Sequence, residues 1–309
     1  MYHYVREYNS NLPYLRYLHV ENFKKQLEYF NANYNIFSLQ ELIEVVQGNR
    51  RIADNDLILT FDDAFIDHYN YVYPILERNN WVGIFYVPTV INQSNEILNV
   101  HKVHHLLAKK HPQNLLSRAL ELIENYMLDP MSSSQIGDSA YQSHDSGRYE
   151  KDFKKLINYQ LLQKYQTYII ELLFKEIFPE GIKSRLYLNR NEICEMHSAG
   201  MIIGSHGVRH LIMSRLEETE QRDELKESFA TLSDIIPSFT LKTFCYPFGH
   251  KNTYNDITIR LLNKENCVFS FCVEGRDITH EDWVNHRQEL ARYDCNAFPF
   301  GKATIGDHY

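Results

Sequence analysis

The chain has no basic excess: 40 acidic against 32 basic side chains leave a formal net charge of -8 over 309 residues. Proteins whose main partner is nucleic acid carry a basic face, so this balance argues against that class. Long apolar runs are also missing. The longest, Trp81 to Ile91, is too short and too interrupted to span a bilayer and suits a buried strand better. The opening Met1-Tyr-His-Tyr-Val-Arg-Glu has neither the basic nor the apolar region of a signal peptide. Cysteine is sparse. Cys194, Cys245, Cys267, Cys272 and Cys295 form no CxxC pair and are odd in number, which points to reduced thiols rather than a disulfide framework. Only 12 glycines and 9 prolines, with 44% hydrophobic and 23% charged residues, exclude fibrous repeats and wholesale disorder. A cytoplasmic location is the expectation, with any membrane contact peripheral and at the inner face.

What is present is an alternation of strand-like and helix-like segments. Val20 to Ala32 carries Phe23, Leu27 and Phe30 on one face and reads as an amphipathic helix. Ser38 and Glu41 form a capping-box pattern ahead of a second helix ending near Val46. Leu57–Phe61 and Val82–Val87 are nearly continuous apolar runs, as strands buried on both faces require. The alternation stops between 92 and 188, where segments 101–128 and 151–178 read as helices flanking a polar stretch, Met131 to Arg148. It resumes with strands expected at Met201–Gly204, Thr243–Tyr246 and Val268–Val273. The reading is one domain over 1–309, a parallel α/β sheet or barrel, with a helical hairpin inserted at 92–188.

Asp62 and Asp63 follow the Leu57–Phe61 strand directly, at the carboxyl end where ligands gather in parallel α/β folds. His206 and His210 follow the strand at Met201–Gly204, and their four-residue spacing brings two imidazoles within reach of one ion. Spacing alone says little: with 15 histidines roughly one such pair arises by chance, and His101/His105 is a second. Position at a strand end separates the two pairs. One carboxylate and two imidazoles leave an open position for water, the pattern of catalytic metal sites, and the second carboxylate is then free to act as a base.

Thr60-Phe61-Asp62-Asp63 and Gly204-Ser205-His206-Gly-Val-Arg-His210 resemble the first two motifs of the NodB-like polysaccharide deacetylases, carbohydrate esterase family 4. The opening Tyr2-His3 and the segments 23–42 and 192–206 are similar to the same family, over about 1–90 and 186–295. The resemblance implies a distorted parallel (β/α) barrel, with Asp63, His206 and His210 holding one divalent metal and Asp62 as base. Zinc is the first choice for this ligand set, with cobalt or nickel also fitting. Cys245-Tyr246-Pro247-Phe248-Gly249 stands where the family has Arg-x-Pro-Tyr, so the resemblance assigns this segment to substrate and oxyanion contacts through the Phe248 N–H. The arginine that orients the base is missing there, and Arg292 is the candidate substitute. The family's late Leu-x-His motif, source of the catalytic acid, is not visible; of His286, His280, His250 and His3, we take His286.

The expected function is metal-dependent hydrolysis of an acetyl or formyl group from an amino sugar. Its expected substrate is an intracellular nucleotide- or lipid-linked precursor of a surface polysaccharide. Two alternatives stand beside it: hydrolysis of a non-sugar amide or cyclic imide on the same barrel, and a degenerate metal-bound scaffold that binds a partner.

Overall fold

The computed structural model describes residues 1–94, 96–126, 147–182 and 184–304. It separates into two compact units. One comprises Met1–Glu7, Tyr17–Glu96 and Leu186–Ala303; the other is built on Tyr8–Arg16 and Ile97–Arg185. The second unit holds Ile97–Arg185, within the 92–188 segment read as an insertion, together with Tyr8–Arg16, which the sequence pattern did not assign.

The first unit is organised by a five-stranded parallel sheet of β1 (Leu59–Phe61), β2 (Gly83–Val87), β3 (Ile202–Ser205), β4 (Thr243–Cys245) and β5 (Phe269–Phe271), in that spatial order. Every residue of β2 is buried. Phe85 and Val87 pack with Phe23, Leu27 and Phe30 of the helix Val20–Asn33, whereas Ile84 and Tyr86 pack with Cys245, Phe269 and Phe271. Alternate side chains thus serve a helix-facing layer and an interior layer, which is why the strand sequence is apolar throughout. Gly204 is needed where β3 passes Tyr86 and Thr243, because a Cβ there would lie 2.4 Å from the Tyr86 ring.

Two further segments extend the sheet and join its edges. Tyr2 pairs in parallel with Phe61 of β1, and Leu290 with Phe271 of β5. Met1 N then donates to the carbonyl of Tyr293 at 2.7 Å, and Cys295 N to that of Met1 at 3.1 Å. The open sheet is closed into a small distorted barrel by these edge contacts.

The local signals hold with shifts of a residue or two. Ser38 and Glu41 make the capping box of Leu39–Val46, and Asn189 with Glu192 does the same for Arg190–Ser198. Three expected elements divide. The apolar run 57–61 splits: Asp56–Leu57 pairs with Asn35–Ile36, and only Leu59–Phe61 joins the main sheet. Each arm of the expected hairpin resolves into two helices, Asn99–Lys109 with Pro112–Asn125, and Arg148–Lys155 with Gln163–Ile177. Pro112 explains the first break, since it cannot donate to the preceding turn and disfavours helical geometry at His111. These four helices bury Leu106, Leu122, Phe153, Ile170 and Leu173 in a core of their own. The expected polar connection lies, over 131–146, outside the described residues.

Candidate active site

Beyond Phe61, Asp62 N still donates to the carbonyl of Tyr2 at 2.9 Å, and the chain then turns sharply. Asp63 and Ala64 both take left-handed backbone conformations, with φ of 76° and 51°. Non-glycine residues rarely do so, and each costs on the order of 1–3 kcal/mol that the surroundings must supply. His210 (φ 57°) and Phe248 (φ 63°), after β3 and β4, share this strain. The turn sends the two adjacent carboxylates to different partners, Asp62 towards Arg292 and Asp63 towards the histidines.

Asp63 Oδ1 lies 3.6 Å from Nε2 of His206 and 3.6 Å from Nε2 of His210, and all three residues are buried. Those separations are too long for hydrogen bonds but approach the edge of a tetrahedron whose vertices lie about 2 Å from a central ion. The tautomer of His206 is set by its other nitrogen. Nδ1–H donates to the carbonyl of Cys245 at 2.7 Å, leaving the Nε2 lone pair for the centre. Burial holds the His206 imidazole below its ordinary value, against the pull of Asp62 and Asp63, so it stays in the neutral form a metal requires. The donor set and its spacing therefore suit a divalent ion.

The loop carrying these histidines hangs from a residue the sequence pattern did not single out. Glu224, buried on the helix Glu218–Ile235, accepts from Val208 N at 2.8 Å, Arg209 N at 3.2 Å and Arg209 Nε at 2.9 Å. On the other side, Thr89 N and Val90 N donate to the carbonyls of Gly207 and Val208. A buried Glu in a helix shows no periodic signal; only the facing loop gives it meaning.

Asp62 is clamped from across the barrel. Arg292 donates through Nη1 and Nη2 to its two carboxylate oxygens, both at 2.9 Å, and reaches Thr60 Oγ1 at 3.0 Å and Cys245 Sγ at 2.9 Å. Burial alone would raise the Asp62 carboxyl, but the guanidinium charge and its hydrogen bonds outweigh it and hold the group well below the usual carboxylate range. Burial pushes the Cys245 thiol up, so it remains protonated beside this pair. A guanidinium from the segment after β5 therefore occupies space next to the residue standing at the motif's arginine position.

Other expected residues are placed less uniformly. Pro247 and Gly249 lie on the loop after β4, and the Phe248 ring packs 4.9 Å from that of His210. Tyr246 is different: its ring stacks on Tyr254 and its hydroxyl donates to the carbonyl of Gln288 at 2.6 Å, so its side chain serves the core. His286 is not brought to the group. It caps the end of His280–Asn285, exposed, beside a cavity lined by Cys267 and Val268, which precede β5. The chain from Gln288 runs parallel to β5 up to Arg292, so His286 stands at the amino end of the strands and the acids at the carboxyl end.

His3 lies nearer the acids than His286 does. Tyr2 stacks on Phe61, and by alternation the next pair, His3 and Asp62, faces the other way, into the barrel. The His3 imidazole is close enough to help, after Arg292 and His206, to hold the Asp62 carboxyl below its ordinary value. It is half-buried. His3 is one of four candidate histidines in the sequence, but the pairing of the first residues with β1 is a long-range contact with no local signal.

Residues 159–269 match the family model for polysaccharide deacetylase, so the match begins inside the helical unit and excludes both Asp62 and Arg292. No curated protein matches the chain. Among solved structures, the Streptococcus pyogenes deacetylase PplD in complex with acetate is similar at TM-score 0.55 and 18% identity, covering 94% of this chain and 88% of that one. A de-N-acetylase from Aggregatibacter actinomycetemcomitans is similar at TM-score 0.51 and 14% identity, with 94% and 91% covered. IcaB from Ammonifex degensii follows at TM-score 0.50 and 13% identity, with 88% and 81% covered. At these identities the structural likeness speaks for the fold. Taken with the matched segment, it gives the chain the fold of a NodB-type barrel, with a sequence likeness to polysaccharide deacetylase confined to residues 159–269.

Proposed function

We propose that the chain is a metal-dependent deacetylase of an N-acylated amino sugar, with Asp63, His206 and His210 holding the metal. The observation that carries this reading is the convergence of those three buried side chains beside an ionised, arginine-clamped Asp62. A divalent ion bound there would polarise the amide carbonyl and acidify an attacking water. Asp62 accepts the proton of that water as its oxygen bonds to the carbonyl carbon, and Arg292 keeps the carboxylate ionised and aimed. The Phe248 N–H, on its left-handed turn, donates to the oxyanion. As the C–N bond breaks, His3 delivers a proton to the departing amine, giving a carboxylic acid and a free amino sugar. The Arg292–Asp62 pair supports catalysis over the degenerate-scaffold alternative, because a clamped base is of no use to a passive scaffold. The five cysteines are all free, which supports a reducing compartment and hence a nucleotide- or lipid-linked precursor as substrate. Release of acetate or formate from N-acylated glucosamine oligomers and their carrier-linked forms, abolished by chelation and restored by zinc, is the expected result. Turnover of cyclic ureides with none of amino sugars would sink it.

A further inference from the structure

We infer that His68 is a positioning residue for this reaction: its Nε2–H, donated to the carbonyl of His3 at 2.7 Å, sets the direction in which the His3 imidazole enters the site. The inference rests on the assignment of His3 as proton donor. His68 is fully buried among the rings of Phe61, Phe65 and Phe85, with centroids 5.6, 5.9 and 5.8 Å away. Its partner is a carbonyl, which can only accept, so Nε2 carries the hydrogen and Nδ1 is bare. That Nδ1 is buried without a hydrogen-bond partner. Packing alone does not call for such a residue. A phenylalanine would fill an aromatic cage with no orphaned nitrogen, so what the imidazole adds is the bond to His3.

The surrounding backbone singles out the same carbonyl. Tyr2 gives its carbonyl to Asp62 N and Tyr4 gives its own to Leu18 N, while that of His3, between them, is taken by His68. His68 also opens a π-helical turn, His68–Val72, a local irregularity that recurs at functional sites. The residue before it, Asp67, binds Arg6 through two hydrogen bonds of 2.7 and 2.8 Å. The segment after β1 thus grips the N-terminal arm on both sides of His3. Burial holds the His68 imidazole below its ordinary value, consistent with a permanently neutral donor.

The test compares an acetamido sugar with nitrophenyl acetate, whose leaving group departs without a proton. His68→Phe is expected to lower kcat on the amide about 10- to 100-fold, at unchanged KM and metal content, and to leave the ester rate as it was. His68→Gln, which keeps an N–H donor, should recover part of the loss. If His68→Phe does not fold, His68→Leu carries the same comparison. Equal losses on both substrates, or no loss on the amide, would overturn the inference. His3→Gln separates the two layers. If it spares the amide, the proton-donor assignment and this inference both fall; if it loses the amide selectively while His68→Phe does not, only this one falls.

Discussion

The two ends of the barrel's strands differ in a way that cavity size does not reveal. At the amino end lies an open cavity of about 280 Å³, lined by Asn263, Cys267, Val268, His286 and Gln288. Its buried polar member, Gln288, is neutral and satisfied by Ser270, Asn263 and the carbonyl of Cys267. The carboxyl end instead concentrates buried charge: Asp62, Asp63 and Arg292, with His206 and His210. There too the backbone is strained at Asp63, Ala64, His210 and Phe248, whereas the left-handed residues at the amino end, Asn80 and Asn266, are asparagines, which adopt that conformation more readily. Buried charges and left-handed non-glycine residues are both expensive, and a fold keeps them together where they act. The lesson is that cost, not volume, marks the working end.

Breaking the Asp62–Arg292 pair should produce the largest difference between the ends. Arg292→Leu leaves a buried carboxylate without its partner, an expected loss of about 3–5 kcal/mol in urea unfolding together with most of the activity. The double variant Cys245→Arg with Arg292→Ala returns a guanidinium to the same place from β4, because Arg292 Nη2 lies 2.9 Å from the Cys245 sulfur. Partial recovery of kcat in the double variant relative to Arg292→Ala supports a shared role; none would show that the strand of origin matters. A smaller effect is expected at Glu224→Gln, which weakens the grip on Val208 and Arg209 without touching the histidines. Zinc affinity measured by competition with a chelator should fall about 10- to 100-fold.

The pH dependence of the metal-free protein follows from the same buried groups. His206 and His68 have folded values lowered by burial beneath the ordinary 6.5, so below that value the unfolded chain binds more protons than the folded one. Their contribution is whole above about 6.5 and is lost as pH falls through that region. Asp62, depressed below 3.8, behaves likewise in a lower window. Melting temperature of the chelated protein should therefore drop from about pH 7 to pH 5, and added zinc should raise the curve without flattening it, because bound imidazoles stay unprotonated while unfolded ones still take up protons. A flat curve without metal would contradict buried neutral imidazoles.

Much of this site is legible in the chain because it sits next to local signals. Asp62–Asp63 and His206/His210 directly follow apolar strands, and Ser38 and Asn189 cap helices within three residues of their partners. Arg292 was within reach because it follows the strand-like Leu290-Ala291. His3, His68 and Glu224 act through contacts of long sequence separation or through main-chain groups, neither of which leaves a periodic trace. His286 fails for the converse reason. A histidine late in the sequence is not a histidine at the carboxyl end, and the six residues from His286 to Arg292 carry the chain from one end of β5 to the other.

The smallest expected effect falls at that residue. His286 is exposed at the close of a short helix, and no buried group in the site depends on it. His286→Ala should change stability by less than about 0.5 kcal/mol, as surface substitutions away from special features do. Amide and ester rates should both stay at the parent level. The comparison with His3→Gln is the decisive one, because the two variants remove the same chemical group from opposite ends of the strands. If His286→Ala lowered kcat on the amide as strongly as His3→Gln, the amino end would have to reach the chemistry. The division between the two ends would then fail, together with the assignment of the proton donor.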